Sequence, residues 1–171
     1  MQRLLKGVTS QVSQIFPEKP PDRQLFLCPC AAIEELGEKL KPSSKCFGLL
    51  LAMDASKIDS KTIGDAADRI LAKGLVYLCA WGSDCERVHD AFDESARDIN
   101  EGLTGDDVIM TASHEDEPLR EAVWYFVHGA FPTESFRRQC TDWIIAPVGN
   151  HEWEKQIRSM IHHIVFLPPE D

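Results

Sequence analysis

Short runs that are apolar at successive positions alternate along this chain with longer stretches in which apolar residues recur every three or four positions. The short runs fall at 24–28, 46–53, 75–80, 108–111 and 143–147. A strand with one wet face alternates in polarity and a strand covered on both faces does not, so most of these runs predict a sheet buried between two layers, as parallel sheets are. The periodic stretches carry Ile33, Leu36 and Leu40; then Ile63, Ala66, Ala67, Ile70 and Leu71; then Val88, Phe92, Ala96 and Ile99. Two more carry Leu119, Ala122, Val123, Phe126, Val127 and Ala130, and Trp153, Ile157, Met160, Ile161 and Ile164. Each set is the apolar stripe of an amphipathic helix. Five strands alternating with five helices predict repeated right-handed crossovers. The expected fold class is therefore α/β: a three-layer α/β/α sandwich on a mainly parallel five-stranded sheet. The strand order expected first is flavodoxin-like, 2-1-3-4-5, with the Rossmann-like order 3-2-1-4-5 as its rival.

Ahead of this pattern, Leu4, Leu5, Val8, Val12 and Ile15 have the spacing of an extra N-terminal helix over 3–15. Pro17, Pro20 and Pro21 then interrupt regular structure. The organisation read from this is an amphipathic helix and Pro-rich linker over 1–22 and a single α/β domain over 23–171, with a frayed tail at 167–171. A length of 171 residues suits one domain, and 43% hydrophobic with 27% charged residues is a globular composition.

Charge and cysteine usage narrow the surroundings. Eighteen Lys and Arg against 28 Asp and Glu leave a formal net charge of −10, which argues against a general nucleic-acid binder. No apolar stretch approaches the roughly 20 residues a membrane helix needs, and the N-terminus lacks the apolar core of a secretory signal. Six cysteines without small-scaffold spacing read as reduced thiols, so a cytoplasmic protein without a membrane partner is expected.

Parallel sheets bind ligands beyond the carboxyl ends of their strands, where crossovers leave toward opposite faces. The turns after the third and fourth strands, 81–85 and 113–117, are the most polar and chemically varied. Trp81, Ser83, Asp84 and Glu115 are therefore the expected ligand-binding residues, with Cys85, His89 and His114 as catalytic candidates. Each also has a plain structural alternative. Ser83 and Glu86 have the spacing of a capping box that starts the next helix. Pro118 suits a first helical turn, which makes Asp116 the expected cap there and leaves His114 and Glu115 in the loop. The carboxylates on either side of Cys85 oppose activation of its thiol by the helix N-terminus. Carboxylates after the fourth strand repel phosphate and favour a cation or a basic partner.

Asp84, His89, His114 and Glu115 would converge on a divalent metal if the third and fourth strands were neighbours, although no linear metal motif supports this. No phosphate-cradling loop and no nucleophile elbow occur, which disfavours a nucleotide cofactor and the common α/β-hydrolase mechanism. Cys28-Pro29-Cys30 is C-x-C and not C-x-x-C. In the flavodoxin-like order its thiols would approach Cys85; the plainer reading is a strand end and a tight turn. Trp124 and Tyr125 lie beside a helical stripe, where they widen the core or form a homodimer contact. Every polar residue at the carboxyl edge has a structural duty and no catalytic set is complete. The leading expectation is therefore a binding or interaction module for a small molecule or protein partner. A metal-assisted or thiol-dependent hydrolase using the same edge, and a structural homo-oligomeric subunit, are the alternatives.

Overall fold

The computed structural model describes residues 13–14, 23–103 and 107–166. Two-residue β1 (Ser13–Gln14) is followed by β2 (Gln24–Leu27), α1 (Ile33–Lys39), β3 (Cys46–Ala52), α2 (Ser60–Leu71), β4 (Leu75–Trp81) and α3 (Cys85–Glu101). The chain continues with β5 (Met110–His114), α4 (Leu119–His128), the short α5 (Glu134–Arg137), β6 (Cys140–Pro147) and α6 (His151–Phe166). The chain forms a three-layer α/β sandwich whose sheet runs β1-β2-β6-β3-β4-β5. β2 through β6 are all parallel, and only β1 is antiparallel. Ser13 and Gln14 thus form an edge strand where the end of an N-terminal helix was expected; the rest of that expected helix, the Pro-rich linker and the tail lie outside the described residues.

Neither expected strand order is observed. Among the five parallel strands the first lies at one side and the last, β6, is inserted between the first and second. The path follows from crossover handedness. From β2 to β3, β4 and β5 the chain advances in one direction, so α1, α2 and α3 share one face of the sheet. From β5 it must return across β4 and β3, and the long connection through α4 does so on the other face, where α6 also packs. Apolarity marks the central strands: β3 is buried throughout and β6 almost so, whereas β2 begins with exposed Gln24.

β6 is seated by two features. At its start, Asp142 is 2% exposed and accepts bonds from Ser43 N (2.6 Å), Ser43 Oγ (3.0 Å) and Ser44 N (3.2 Å). Ser44 Oγ in turn accepts from the Asp142 amide. One residue on, Trp143 is fully buried and pairs in register with Gly48 of β3, where an added Cβ would stand 2.7 Å from the indole. The ring also meets Phe126 of α4 at 5.0 Å and lies under the Arg23 guanidinium at 3.7 Å. Arg23 donates to the carbonyls of Phe126, Val127 and Ala130 at the end of α4, and burial lowers its pKa to about 10. The start of β2, the inner strand β6 and α4 are thus joined at one point.

Gly48→Ala is expected to lower stability by about 1–3 kcal/mol, because the rigid indole fills the space the methyl group needs. A urea unfolding midpoint unchanged from the parent would contradict this account of the core.

Candidate functional site

The carboxyl ends of β4 and β5 are neighbours, with Trp81 and His114 as register partners. From β4 the chain leaves toward the α3 face, and from β5 toward the α4 face. The crevice this divergence opens is a cavity of about 420 Å³ lined by Trp81, Gly82, Ser83, Asp84, His114, Glu115, Asp116, Glu117 and Trp153.

The β4 lip is shaped by its backbone. Gly82 has φ +114°, and a Cβ there would lie 2.2 Å from the Met53 carbonyl oxygen, so only glycine lets this turn cross the end of β3. Met53 N donates to Trp81 O and Ala55 N to Ser83 O, each at 2.9 Å. Asp84 then adopts a left-handed conformation (φ 61°) and receives Arg87 Nε at 2.8 Å, while the same guanidinium donates to the carbonyls of Ile58 and Ala55. The expected capping box is absent. α3 begins behind the left-handed Asp84 with no side-chain cap, because Arg87 latches this turn to the β3–α2 loop instead.

On the opposite lip the strand extends further than its polarity suggested, since Thr111 and Ser113 face α3 and continue the β4 ladder. His114 is therefore the last residue of β5 and only 6% exposed, not a loop residue. Its ring packs on Tyr125 at 4.7 Å between centroids, and its Nδ1 lies 2.9 Å from Glu117 Oε2. A carboxylate only accepts, so Nδ1 is the donor in this contact and Nε2 is the ring's other nitrogen. That atom is buried without a hydrogen-bond partner among the described residues. Trp81 Nε1 donates to the Glu117 carbonyl at 2.7 Å, which ties the two lips together. Asp116 is left-handed (φ 59°) and caps nothing; α4 starts after Pro118 with no side-chain cap. Asp84 and Asp116 are the two non-glycine residues with positive φ among those described, and one stands on each lip. Strained backbone of this kind gathers at functional sites.

The crevice is strongly acidic. The negative charge of Glu86 on α3, with partial desolvation and the charges of Asp116 and Asp84, raises the Glu115 carboxyl above its ordinary value. Among the described residues no ion pair joins Glu86, Glu115 or Asp116 to a base.

Five residues singled out by sequence therefore meet in one crevice: Trp81, Ser83, Asp84, His114 and Glu115. Cys85 and His89 do not join them. Cys85 is 1% exposed within the core under α3, and burial pushes its thiol up, which removes it as an accessible nucleophile. His89 sits beside Thr111, with Nε2 3.0 Å from Thr111 Oγ1 and Nδ1 3.2 Å from Asp90 Oδ1. Successive β5 side chains alternate between faces, so Thr111 and His89 lie on the α3 face while His114 lies on the α4 face. The expected convergence of Asp84, His89, His114 and Glu115 on a metal is not formed, because the sheet separates the two imidazoles. Among the described residues no three His, Cys, Asp or Glu side chains are gathered to hold a metal ion. Nor does the Cys28 and Cys30 pair approach Cys85, since β6 and β3 lie between β2 and β4. Trp124 and Tyr125 are half-buried against the core, where the Tyr125 hydroxyl bonds that of Tyr77 at 2.9 Å.

Three contributors were given other roles in the sequence. Trp153 reads as a core stripe residue but packs edge-on against Trp81 at 5.2 Å and walls the crevice. Glu86 reads as a cap. The one local signal for Glu117 is its spacing of three from His114. Among the described residues no helix is long and apolar enough to cross a membrane.

A family model described as Domain of unknown function (DUF7684) matches residues 25–164. The chain belongs to this family. No curated protein matches it significantly. The matched stretch runs from within β2 almost to the end of α6, so the DUF7684 domain includes both lips of the crevice.

Gly82→Ala is expected to cost roughly 2 kcal/mol or more, from positive φ and a backbone clash together. Because the strain sits at the crevice, tryptophan fluorescence from Trp81 and Trp153 should change along with the thermal midpoint. A fluorescence spectrum and midpoint both equal to the parent's would contradict this description of the turn.

Proposed function

We propose that this domain is a binding module whose ligand or partner docks in the crevice between the carboxyl ends of β4 and β5 and presents a cationic group to it. One observation carries the reading. At a point where crossovers diverge to opposite faces, Glu115 and Asp116, neither of them in an ion pair among the described residues, line the crevice beside the buried imidazole of His114. Like charges so placed oppose folding until a cation is bound, and binding energy is gained by relieving that repulsion. An amine or guanidinium group on a small molecule or a protein partner has the required charge. The net charge of −10 draws such partners and repels nucleic acid. Trp81 and Trp153 offer an aromatic wall against which the cation's apolar part can pack. Six free cysteines, all buried, fit the reducing conditions of the cytoplasm, which we propose as the compartment.

The hydrolase alternative retains a single supporting feature, the His114–Glu117 pair, in which Glu117 orients the imidazole as it would a general base. Its proposed nucleophile Cys85 is sealed in the core and its second imidazole, His89, is on the other face. Binding without chemistry requires neither.

Thermal shift with spermidine, arginine amide and inorganic phosphate as probes tests the reading. Both cations should raise the midpoint in a manner that fades with salt, by about 2.7 kcal/mol at a probe concentration of 100 Kd. Phosphate should not. Glu86→Gln with Glu115→Gln should raise the midpoint of the unliganded protein and abolish the cation response. Failure of either cation to shift the parent, or an equal shift in the double variant, would refute the site.

A pH dependence follows from the raised Glu115 pKa. The fold favours the protonated acid, so this group's contribution is fully present below its unfolded pKa and is lost as pH rises through the folded one. A bound cation reverses the preference. Spermidine affinity should therefore increase as pH rises through the range just above that of ordinary carboxylates, with proton release on binding measurable by calorimetry in two buffers.

A further inference from the structure

The sheet has a second place where neighbouring strands send their helices to opposite faces, between β2, which leads to α1, and β6, which leads to α6. A cavity of about 1130 Å³ opens there, bordered by Pro29, Cys30, Ala31, Lys39, Pro147 and Gly149 among others. Cys28-Pro29-Cys30 runs along its edge. The amide of Cys28 donates to Ile145 O at 2.8 Å and that of Cys30 to Pro147 O at 3.0 Å, so both residues have the same orientation toward β6. Residues two apart with the same ladder orientation carry their side chains on the same face, and both thiols lie in the cluster beneath α1. Cys30 Sγ donates to the Cys28 carbonyl oxygen at 3.6 Å, so its side chain lies back along the strand toward Cys28.

The pair is asymmetric. Cys28 is fully buried, whereas Cys30 is 7% exposed and borders the cavity. The interaction with Cys28 draws the Cys30 thiol down against the opposing effect of burial, and Lys39, itself paired with Glu35 at 2.6 Å, adds a smaller favourable charge; the same interaction, with burial, pushes the Cys28 thiol up. Of the other cysteines, Cys46 and Cys140 are register partners across adjacent strands, Cys79 lies within β4 and Cys85 is the first residue of α3, all in the core.

We propose that Cys28 and Cys30 form a reversible dithiol–disulfide site that reacts with a hydroperoxide entering the β2/β6 crevice. The Cys30 thiolate attacks the terminal peroxide oxygen: an S–O bond forms, the O–O bond breaks, and the departing alkoxide takes a proton to become an alcohol, or water from hydrogen peroxide. Cys30, oxidised by two electrons, is now a sulfenic acid. Cys28 attacks its sulfur, forming the S–S bond and breaking S–O, and the hydroxide leaves as water with the Cys28 proton. An external dithiol restores both thiols through a mixed disulfide, itself leaving as a disulfide. Closing a bond between residues two apart in an extended strand strains it, which makes the disulfide easily reduced and so suited to switching, not to permanent stapling.

Cleavage after Arg23 and Lys39 yields a peptide, 24–39, that contains these two cysteines and no other. The full native chain is treated with equimolar hydrogen peroxide, then denatured, alkylated and mapped. Peptide 24–39 should lose both alkyl groups and about two mass units for the two hydrogens, and should regain two alkylation sites after dithiothreitol. Peptides carrying Cys46, Cys79, Cys85 and Cys140 should stay fully alkylated. Cys28→Ala should leave a dimedone-reactive Cys30, and Cys30→Ala should leave Cys28 unoxidised. Should either variant fail to fold, the parent's peptide map decides alone. Two alkyl groups on 24–39 after peroxide, sulfinic acid at Cys30 with Cys28 still alkylated, or a bridge involving any other cysteine would overturn the proposal. Cation binding at the β4/β5 crevice is unaffected by any of these outcomes.

Discussion

The Trp143 indole occupies the space that a side chain at position 48 would need, and this contact between β6 and β3 holds the sheet in one piece. β6 is the last strand in sequence and an inner one in space, paired with β2 on one side and β3 on the other. Without it β2 has no parallel partner, and β3 to β5 form a separate three-stranded sheet. Asp142 anchors the start of β6 to Ser43 and Ser44 ahead of β3, while Arg23 binds the end of α4 over the Trp143 ring. A buried carboxylate and a buried guanidinium are costly unless every bond is made. Asp142 reaches its serine partners only when β6 is in place, and the half-buried Arg23 gains its stacking on Trp143 only then, so each acts against misplacing the strand.

Inserting β6 determines where ligands can go. A sheet wound in one direction would send every helix to one face and leave no divergence between neighbouring strands. The return of the chain from β5 to β6 makes α4 and α6 cover the second face, and divergent neighbours then occur at β4/β5 and on the flanks of β6. Two of the crevices that result differ sharply in chemistry. One gathers carboxylates around a buried imidazole, and the other has a thiol pair near a lysine. The acidic crevice is lined by left-handed Asp84 and Asp116, whose strain is borne by the Arg87 latch and by the ties of Glu117 to Trp81 and His114.

Much of this was legible from local pattern. Runs apolar at every position marked five strands, because burial on both faces leaves no polar side to alternate. The end of the fourth was misplaced, since β5 carries Thr111, Ser113 and His114 and its polarity resembles a loop. That shift turned His114 from a loop residue into a buried one. The carboxyl-edge turns were identifiable as a class, because they depend only on strand direction. Roles within them were not. Ser83 and Glu86 have the spacing of a cap, yet a left-handed Asp84 held by Arg87 displaces that cap, and Arg87 reaches carbonyls some thirty positions earlier.

Sequence by itself determined what each segment is: strands by continuous apolarity and helices by their stripes. These follow from interactions among residues close in the chain. The tertiary structure alone decided which strands are neighbours, which face each histidine occupies, and that the charge of Glu86 acts on Glu115 while Trp153 meets Trp81. Those contacts join residues whose separation in sequence carries no information about their separation in space. They depend on the side of the sheet along which the chain returns, and that is settled only when β6 closes the gap between β2 and β3.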